Sequence, residues 1–144
     1  MKMTKITLVL LAVVMVLGMF ASCESVEKTT VTITFLDQDN KTVIEKYTAE
    51  LTKEAPTVLD AVYAVSDAYA TMEDYANITM SEDGSSVKSV DSYKEDLTPD
   101  SNNMIKYWMF YLNGEEPKGD INDIAIADGD TIVFQFVEET VEEE

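Results

Sequence analysis

The sequence contains no histidine and no arginine, and it has a single cysteine, Cys23. Without histidine and without a pair of thiols, the usual histidine- and thiol-based catalytic constellations and thiolate metal clusters cannot be assembled within the chain, which leaves carboxylates, serines and lysines. An internal disulfide is excluded as well, so an exported domain would depend on its hydrophobic core. We therefore expect a binding protein rather than an enzyme, with no metal site.

Positive charge is also scarce. Ten lysines stand against 28 aspartates and glutamates, and the formal net charge is −18 at pH 7. Nucleic acids and anionic lipid headgroups are bound by dense patches of lysine and arginine. We therefore expect no nucleic-acid partner and no membrane attachment through a basic surface. The acidic segment 138–144 is typical of a solvated, disordered tail.

One long apolar run is present, at residues 6–20, and it follows Lys2 and Lys5. The run is shorter than the roughly 18 to 20 residues that a membrane-spanning helix needs, and small residues come after it. Residues 1–22 are therefore predicted to be a signal peptide for secretion. Two alternatives are an uncleaved membrane anchor and an ordinary signal peptide followed by an incidental cysteine.

The segment from Phe20 to Cys23 resembles the bacterial lipobox, with Phe20 where leucine is usual. This resemblance implies cleavage before Cys23 and attachment of a lipid to its thiol. We expect a lipoprotein that faces outside the cytoplasm, with acyl chains on Cys23 providing the attachment to the membrane. Residues 23–30 would then form a short polar tether.

Residues 31–137 are predicted to form one domain with one core. Extended patterns at 31–35 and 43–51 predict an opening β-hairpin, and short apolar segments at 78–80 and 87–90 predict a second. Between them, apolar residues at three- and four-residue spacing from Val58 to Tyr69 predict a helix. A last strand is predicted at 131–136. This order predicts an α+β fold, β-grasp-like (ubiquitin-like), with a mostly antiparallel sheet and one packed helix.

The strongest strand signal is the aromatic segment 107–112, which is followed by Asn113 and Gly114. Asn-Gly favours a tight hairpin turn because both residues tolerate a positive φ. Apolar residues occupy both faces of this strand, whereas a half-exposed antiparallel strand alternates apolar with polar residues. Two interpretations of the apolar second face are open. It is covered either by another part of the same domain, or by a ligand or partner.

Four segments together resemble the C-terminal domain of transcobalamin and intrinsic factor, which small bacterial surface lipoproteins also carry. They are residues 57–61, the strand and turn at 107–114, Pro117 with Gly119, and residues 126–132. In that family the domain is a β-rich lid over cobalamin held by a separate helical domain, for which we find no segment in this sequence. The resemblance implies cobalamin or another corrinoid as the cofactor. The ligand-binding residues that it implies are Trp108, Phe110, Asn113, Gly114 and Pro117.

Two functions from different classes are open. In the first, the aromatic strand binds a flat, largely apolar small molecule such as a corrinoid, and Trp108 or Phe110 is exposed beside the loop 113–118. In the second, the domain docks a protein or glycan at the cell surface without a cofactor, and its aromatic side chains are buried or spread over a flat patch. Acidic segments such as 128–130 hold oxygen ligands suited to calcium, but they lack the spacing of an EF-hand and are predicted to be turns.

Overall fold

The computed structural model describes residues 27–72 and 76–142, which contain one helix and seven strands. They are β1 Thr29–Leu36, β2 Thr42–Leu51, α1 Val58–Tyr69, β3 Ile78–Met80, β4 Val87–Val90, β5 Tyr93–Lys94, β6 Met104–Leu112 and β7 Thr131–Thr140. Within these ranges, no helix has the length and apolar character needed to cross a membrane. The predicted signal peptide and Cys23 lie outside the described residues.

The strands form two sheets. In the larger sheet the order is β2-β1-β7-β6, with β1 antiparallel to β2 and parallel to β7, and with β6 antiparallel to β7. The smaller sheet is antiparallel and has the order β3-β4-β5. Both predicted hairpins are present, and the predicted α+β class with a mostly antiparallel sheet and one helix is confirmed.

The helix begins at a cap that the sequence encodes. The carboxylate of Asp60 accepts a hydrogen bond from the backbone N–H of Thr57 at 2.8 Å and pairs with Lys53 at 2.9 Å. The bond from Thr57 closes the first turn, and the carboxylate places negative charge at the positive end of the helix dipole. The buried face of the helix consists of Val58, Ala61, Val62 and Val65.

Aromatic side chains from β1, β6 and β7 lie in the core. Phe35 stacks on Phe134 with the ring centroids 4.8 Å apart, and Trp108 meets Phe35 edge-on at 5.9 Å. Both arrangements suit the quadrupoles of the rings. The buried hydrophobic residues of the described ranges all lie between Val31 and Phe136. The segment that follows Cys23 therefore contains this whole core.

The ends of the domain extend beyond the predicted boundaries. At the N-terminal end, β1 begins at Thr29, inside the segment predicted to be a tether, and pairs there with Leu51. At the C-terminal end, β7 continues to Thr140, so the predicted disorder of residues 138–144 is wrong for residues 138–140. Between the second hairpin and β6 lies the short strand β5, which was not predicted from the sequence.

Pairing with β6 explains why the acidic end of β7 is ordered. Glu138 lies opposite Lys106 in the register and forms an ion pair with it at 2.9 Å. Glu139 lies opposite Ile105, and its carboxylate accepts a hydrogen bond from the hydroxyl of Tyr107 at 2.7 Å. Two of the acidic side chains therefore have partners on the neighbouring strand, which a reading of local charge alone did not reveal.

Replacing Glu139 tests this pairing. Hydrogen bonding to the Glu139 carboxylate, together with burial, raises the pKa of Tyr107 to about 12. Because the neutral phenol is the stabilised form, the contribution to stability is complete below a pH of about 10 and is lost as the pH rises through about 12. Glu139→Gln should lower the pKa of Tyr107 towards 10, as measured by NMR titration of ring-labelled tyrosine.

Glu142→Gln is the matched control, because it removes the same charge beyond the end of β7. It should leave the pKa of Tyr107 unchanged. An equal response of Tyr107 to both substitutions would contradict the pairing of residues 138–140 with β6.

Candidate ligand-binding cleft at the edge of β6

Strand β6 lies at one edge of the larger sheet, with β7 on one side only. Backbone groups of successive residues in a strand point alternately to the two sides. Lys106 exchanges two backbone hydrogen bonds with Asp96, each 2.8 Å long, and Leu112 exchanges two with Glu115, of 2.8 and 3.1 Å. The even-numbered residues of β6 therefore direct their N–H and C=O groups away from β7.

The edge is unpaired between these two bridges. Trp108 and Phe110 lie between Lys106 and Leu112 and share their orientation, so their backbone N–H and C=O groups also point outward. None of these four groups has a hydrogen-bond partner among residues 27–72 and 76–142. The middle of β6 thus offers two donors and two acceptors to a ligand.

A cleft of about 200 Å³ lies beside this unpaired edge. We call it the β6 cleft. Residues from β6 and Phe134 of β7 line one side. The rest is lined by the start of β4 with the loop before it, and by the loop after the Asn113-Gly114 turn. Its lining consists of Ser85, Ser86, Val87, Tyr107, Trp108, Met109, Phe110, Glu116, Pro117, Gly119, Asp120, Ile121 and Phe134.

Backbone hydrogen bonds hold the two loops together. The N–H of Ile121 donates to the carbonyl of Ser85 at 3.1 Å, and the carbonyl of Ile121 accepts from the N–H of Leu59 at 2.9 Å. Gly84 lies in the turn before β4 with φ of 69°, and a Cβ atom there would lie 3.0 Å from Cδ2 of Leu59. Glycine therefore permits both the turn and its close approach to the helix.

Trp108 is buried rather than exposed, with 7% of its surface accessible. Its indole N–H donates to the carbonyl of Tyr93 at 3.1 Å, and its ring packs against Phe136 at 5.2 Å. Phe110 is half-buried and stacks on Phe134 at 5.5 Å. Both residues that the sequence pointed to are therefore among those that line the β6 cleft.

Pro117 also lines the cleft and is half-buried, but the other two predicted residues do not line it. Asn113 and Gly114 form the tight turn after β6 with φ values of 52° and 83°. The Asn113 amide nitrogen donates to Asp130 at 2.8 Å, and its amide oxygen accepts from the N–H of Thr131 at 2.9 Å. Asn113 therefore fastens the end of β6 to the start of β7.

The second face of β6 remains outside the hydrophobic core. Tyr107, Met109 and Tyr111 are half-buried on that face and do not belong to the buried cluster. Tyr107 bonds to Glu139 across the pair, and the hydroxyl of Tyr111 donates to the sulfur of Met109 at 3.4 Å. Neighbouring side chains thus satisfy the two hydroxyls, and Tyr107 and Met109 of this face also line the β6 cleft.

Carboxylates surround the β6 cleft. Glu116 and Asp120 are exposed in its lining, and Asp83 lies in the adjoining turn. Hydrogen bonds from the hydroxyls of Ser81 and Ser85 and from the backbone N–H of Ser85 lower the pKa of Asp83 to about 2. The turn beside the cleft is therefore negatively charged at neutral pH. In residues 27–72 and 76–142, no cluster of three or more acidic side chains could hold a metal ion.

A second, wider cavity of about 600 Å³ lies near β5 and the other end of β6. Its lining is mostly polar, and the ion pair of Lys106 with Glu138 forms part of it. None of the residues predicted to bind a ligand lies there. The β6 cleft is therefore the better candidate for a binding site.

Sequence reasoning missed the wall formed by Ser85, Ser86 and Val87, together with Asp120 and Ile121. The two segments meet β6 only through the tertiary fold. The one local signal for this wall is the Asp83-Gly84 turn, which predicts that a strand begins shortly after it.

Several solved structures match the chain, among them the following two. A protein from Ruminococcus gnavus ATCC 29149, to which metal binding is attributed, matches 77% of this chain and 98% of its own at 19% identity and a TM-score of 0.46. Haptocorrin in complex with Cbi, a cobalamin analogue, matches 81% of this chain at 12% identity and a TM-score of 0.54. Only 26% of the haptocorrin chain is covered, and at this identity the match shows a shared fold.

Comparison with families of sequences gives the assignment. No curated protein matches the chain. Residues 55–138, which include α1, β6 and both loops of the β6 cleft, match the family described as a domain of unknown function, DUF4430. This match extends over more than half of the sequence, and the chain therefore belongs to the DUF4430 family.

Proposed function

We propose that the protein is a lipid-anchored binding protein outside the cytoplasm, and that the β6 cleft receives the edge of a flat, largely apolar ligand. The observation that carries this proposal is the cleft itself, in which Trp108, Phe110 and Pro117 lie beside unpaired backbone donors and acceptors. Apolar walls with a few convergent polar groups are typical of small-molecule sites. We propose binding rather than catalysis because the chain has no histidine, the most common general base of enzymes.

A corrinoid is the candidate ligand. The fold shared with haptocorrin, which is known in complex with Cbi, supports this choice, as do the aromatic strand and turn that resemble the transcobalamin C-terminal domain. Since the chain has no histidine, a corrinoid would be held through its periphery rather than through imidazole ligation of cobalt. The outward N–H and C=O groups of Trp108 and Phe110 are suited to polar groups on that periphery.

The size of the cleft limits how much of the ligand this chain can cover. Pockets that enclose a drug-sized ligand measure roughly 300 to 1,000 Å³. The β6 cleft measures about 200 Å³ and is smaller. It would therefore hold one edge of a corrinoid, and a second protein surface would have to cover the remainder.

A second candidate function is docking of a partner protein at the cell surface. The burial of Trp108 favours this function, because its ring is committed to the core instead of being displayed to a ligand. The unpaired edge of β6 favours it as well, since a partner's strand can pair with such an edge.

The anchor is tested by replacing Cys23, the single cysteine of the chain. In a bacterial host grown with radiolabelled palmitate, the full chain should take up the label and sediment with the membranes. Cys23→Ser should abolish labelling, because the thiol is the predicted acceptor of the lipid. Ser22→Ala changes the preceding small residue to another small residue and should retain the label. Labelling of the Cys23→Ser protein would contradict the anchor.

The ligand is tested by titrating residues 24–144 with cobalamin and with cobinamide. Trp108, the single tryptophan, reports binding by fluorescence, and calorimetry provides an independent measurement. We expect saturable quenching with matching heat. Phe110→Ala should weaken binding at least tenfold, or by about 1.4 kcal/mol, because it removes one aromatic wall of the cleft.

Tyr63→Ala is the control for this experiment, since Tyr63 is exposed on α1 and does not line the cleft. It should bind as the parent chain does. Circular dichroism would verify that each variant is folded. The absence of heat at high micromolar ligand would overturn stand-alone corrinoid binding and leave the fold assignment unaffected.

A further inference from the structure

We propose that the unpaired edge of β6 binds an extended, basic peptide segment of a partner protein by β-strand addition. The inference rests on the second candidate function and specifies the chemistry of the partner. Its site is the same β6 cleft, so a peptide and a flat ligand would exclude one another.

The first argument is the hydrogen-bonding pattern of the edge. Trp108 and Phe110 present two N–H and two C=O groups in the spacing of a strand, and these groups have no partner in the described residues. The bridges at Lys106 and Leu112 close the two ends. Six residues of an antiparallel strand span roughly 20 Å, so the gap between the bridges accommodates about five residues of an added strand.

The second argument is the size of the β6 cleft. An apolar cavity of roughly 150 Å³ holds a benzene ring. At about 200 Å³, the cleft can receive one aromatic or branched aliphatic side chain of the added strand. Strand addition gains affinity from the backbone and specificity from such side-chain pockets.

The third argument is charge. Asp96 lies at one end of the gap, Glu115 and Glu116 lie at the other, and all three are exposed. The whole chain carries a net charge of −18. A peptide with lysine or arginine on both sides of its pairing segment would meet opposite charge at each end, whereas an acidic peptide would be repelled.

The same geometry disfavours pairing with a second copy of this chain. In a two-fold antiparallel pair centred on Met109, Lys106 of one copy would oppose Leu112 of the other. Asp96 and the second copy's Glu115 would then compete for one position, because each is already bonded to one of these residues. Two acidic groups in one place make the self-pair unfavourable.

Comparison with the opposite edge of the sheet distinguishes β6 from an ordinary edge strand. Charged residues interrupt β2, including Glu45, Lys46 and Glu50, all of them exposed. Natural proteins use such charges to prevent unwanted pairing at sheet edges. The segment 107–112 of β6 contains no charged residue. The edge that lacks this protection is also the one that carries the cleft.

The test uses a defined peptide, Lys-Val-Thr-Val-Thr-Val-Lys, acetylated, amidated and fluorescently labelled. Its binding to residues 24–144 is followed by fluorescence anisotropy without any corrinoid present. We expect saturable binding. A peptide N-methylated at its three central residues should bind at least tenfold more weakly because its donors are blocked. A peptide with glutamate in place of both lysines should also bind at least tenfold more weakly.

Variants of the protein locate the site. Phe110→Pro removes an outward N–H at an edge position, where proline is tolerated. It should weaken peptide binding at least tenfold, and a thermal melt would verify that the variant is folded. Glu116→Gln should weaken binding of the basic peptide by about two- to fivefold, in line with one exposed charge contact. Glu45→Gln removes the same charge from the opposite edge and should bind as the parent chain does.

Three outcomes would overturn the inference. They are no anisotropy change at millimolar protein, equal binding of the parent and N-methylated peptides, and sedimentation showing that the chain pairs with itself through β6. The corrinoid titration tests the first candidate function independently of the peptide experiment. Binding of cobinamide with no binding of peptide would retain the first candidate function, and the reverse result would retain the second.

Discussion

The pairing of β6 with β7 is the constraint on which the rest of the site depends. Its register runs without a shift from the pair Met104 and Thr140 to the pair Leu112 and Ile132. Because side chains and backbone groups both alternate along a strand, this register decides two things together. It turns Trp108 and Phe110 towards the core, and it turns their N–H and C=O groups to the free edge. A slip of one residue would reverse both.

The turn that follows β6 holds this register in place. Asn113 and Gly114 reverse the chain, and the side chain of Asn113 bonds to Asp130 and to the N–H of Thr131 at the start of β7. After the turn, Glu115 bonds to Leu112 at the end of the outer edge of β6, and Pro117 lines the cleft. The turn and the aromatic strand thus have different roles. The turn residues hold the site together, and the strand residues line it.

Sequence patterns predicted the elements better than their assembly. The aromatic segment, the Asn-Gly turn and the spacing from Val58 to Tyr69 are local signals, and each gave an element close to the observed one. The exposure of Trp108 could not be read from sequence because both faces of β6 are apolar. The wall at residues 85–87 depends on tertiary bonds to Ile121. The order of Glu138 depends on Lys106 across the sheet, which the local run of acids conceals.

Amide hydrogen exchange along β6 in unliganded residues 24–144 tests the central claim most directly, namely that the middle of this edge is unpaired and open. The amides of Tyr107, Met109 and Tyr111 bond to β7, whereas those of Trp108 and Phe110 face outward. We expect the two outward amides to exchange roughly 100-fold faster than the three inward ones, since paired amides must await an opening of the sheet. Equal protection of all five amides would show that another part of the chain covers the edge, and would contradict a binding site there.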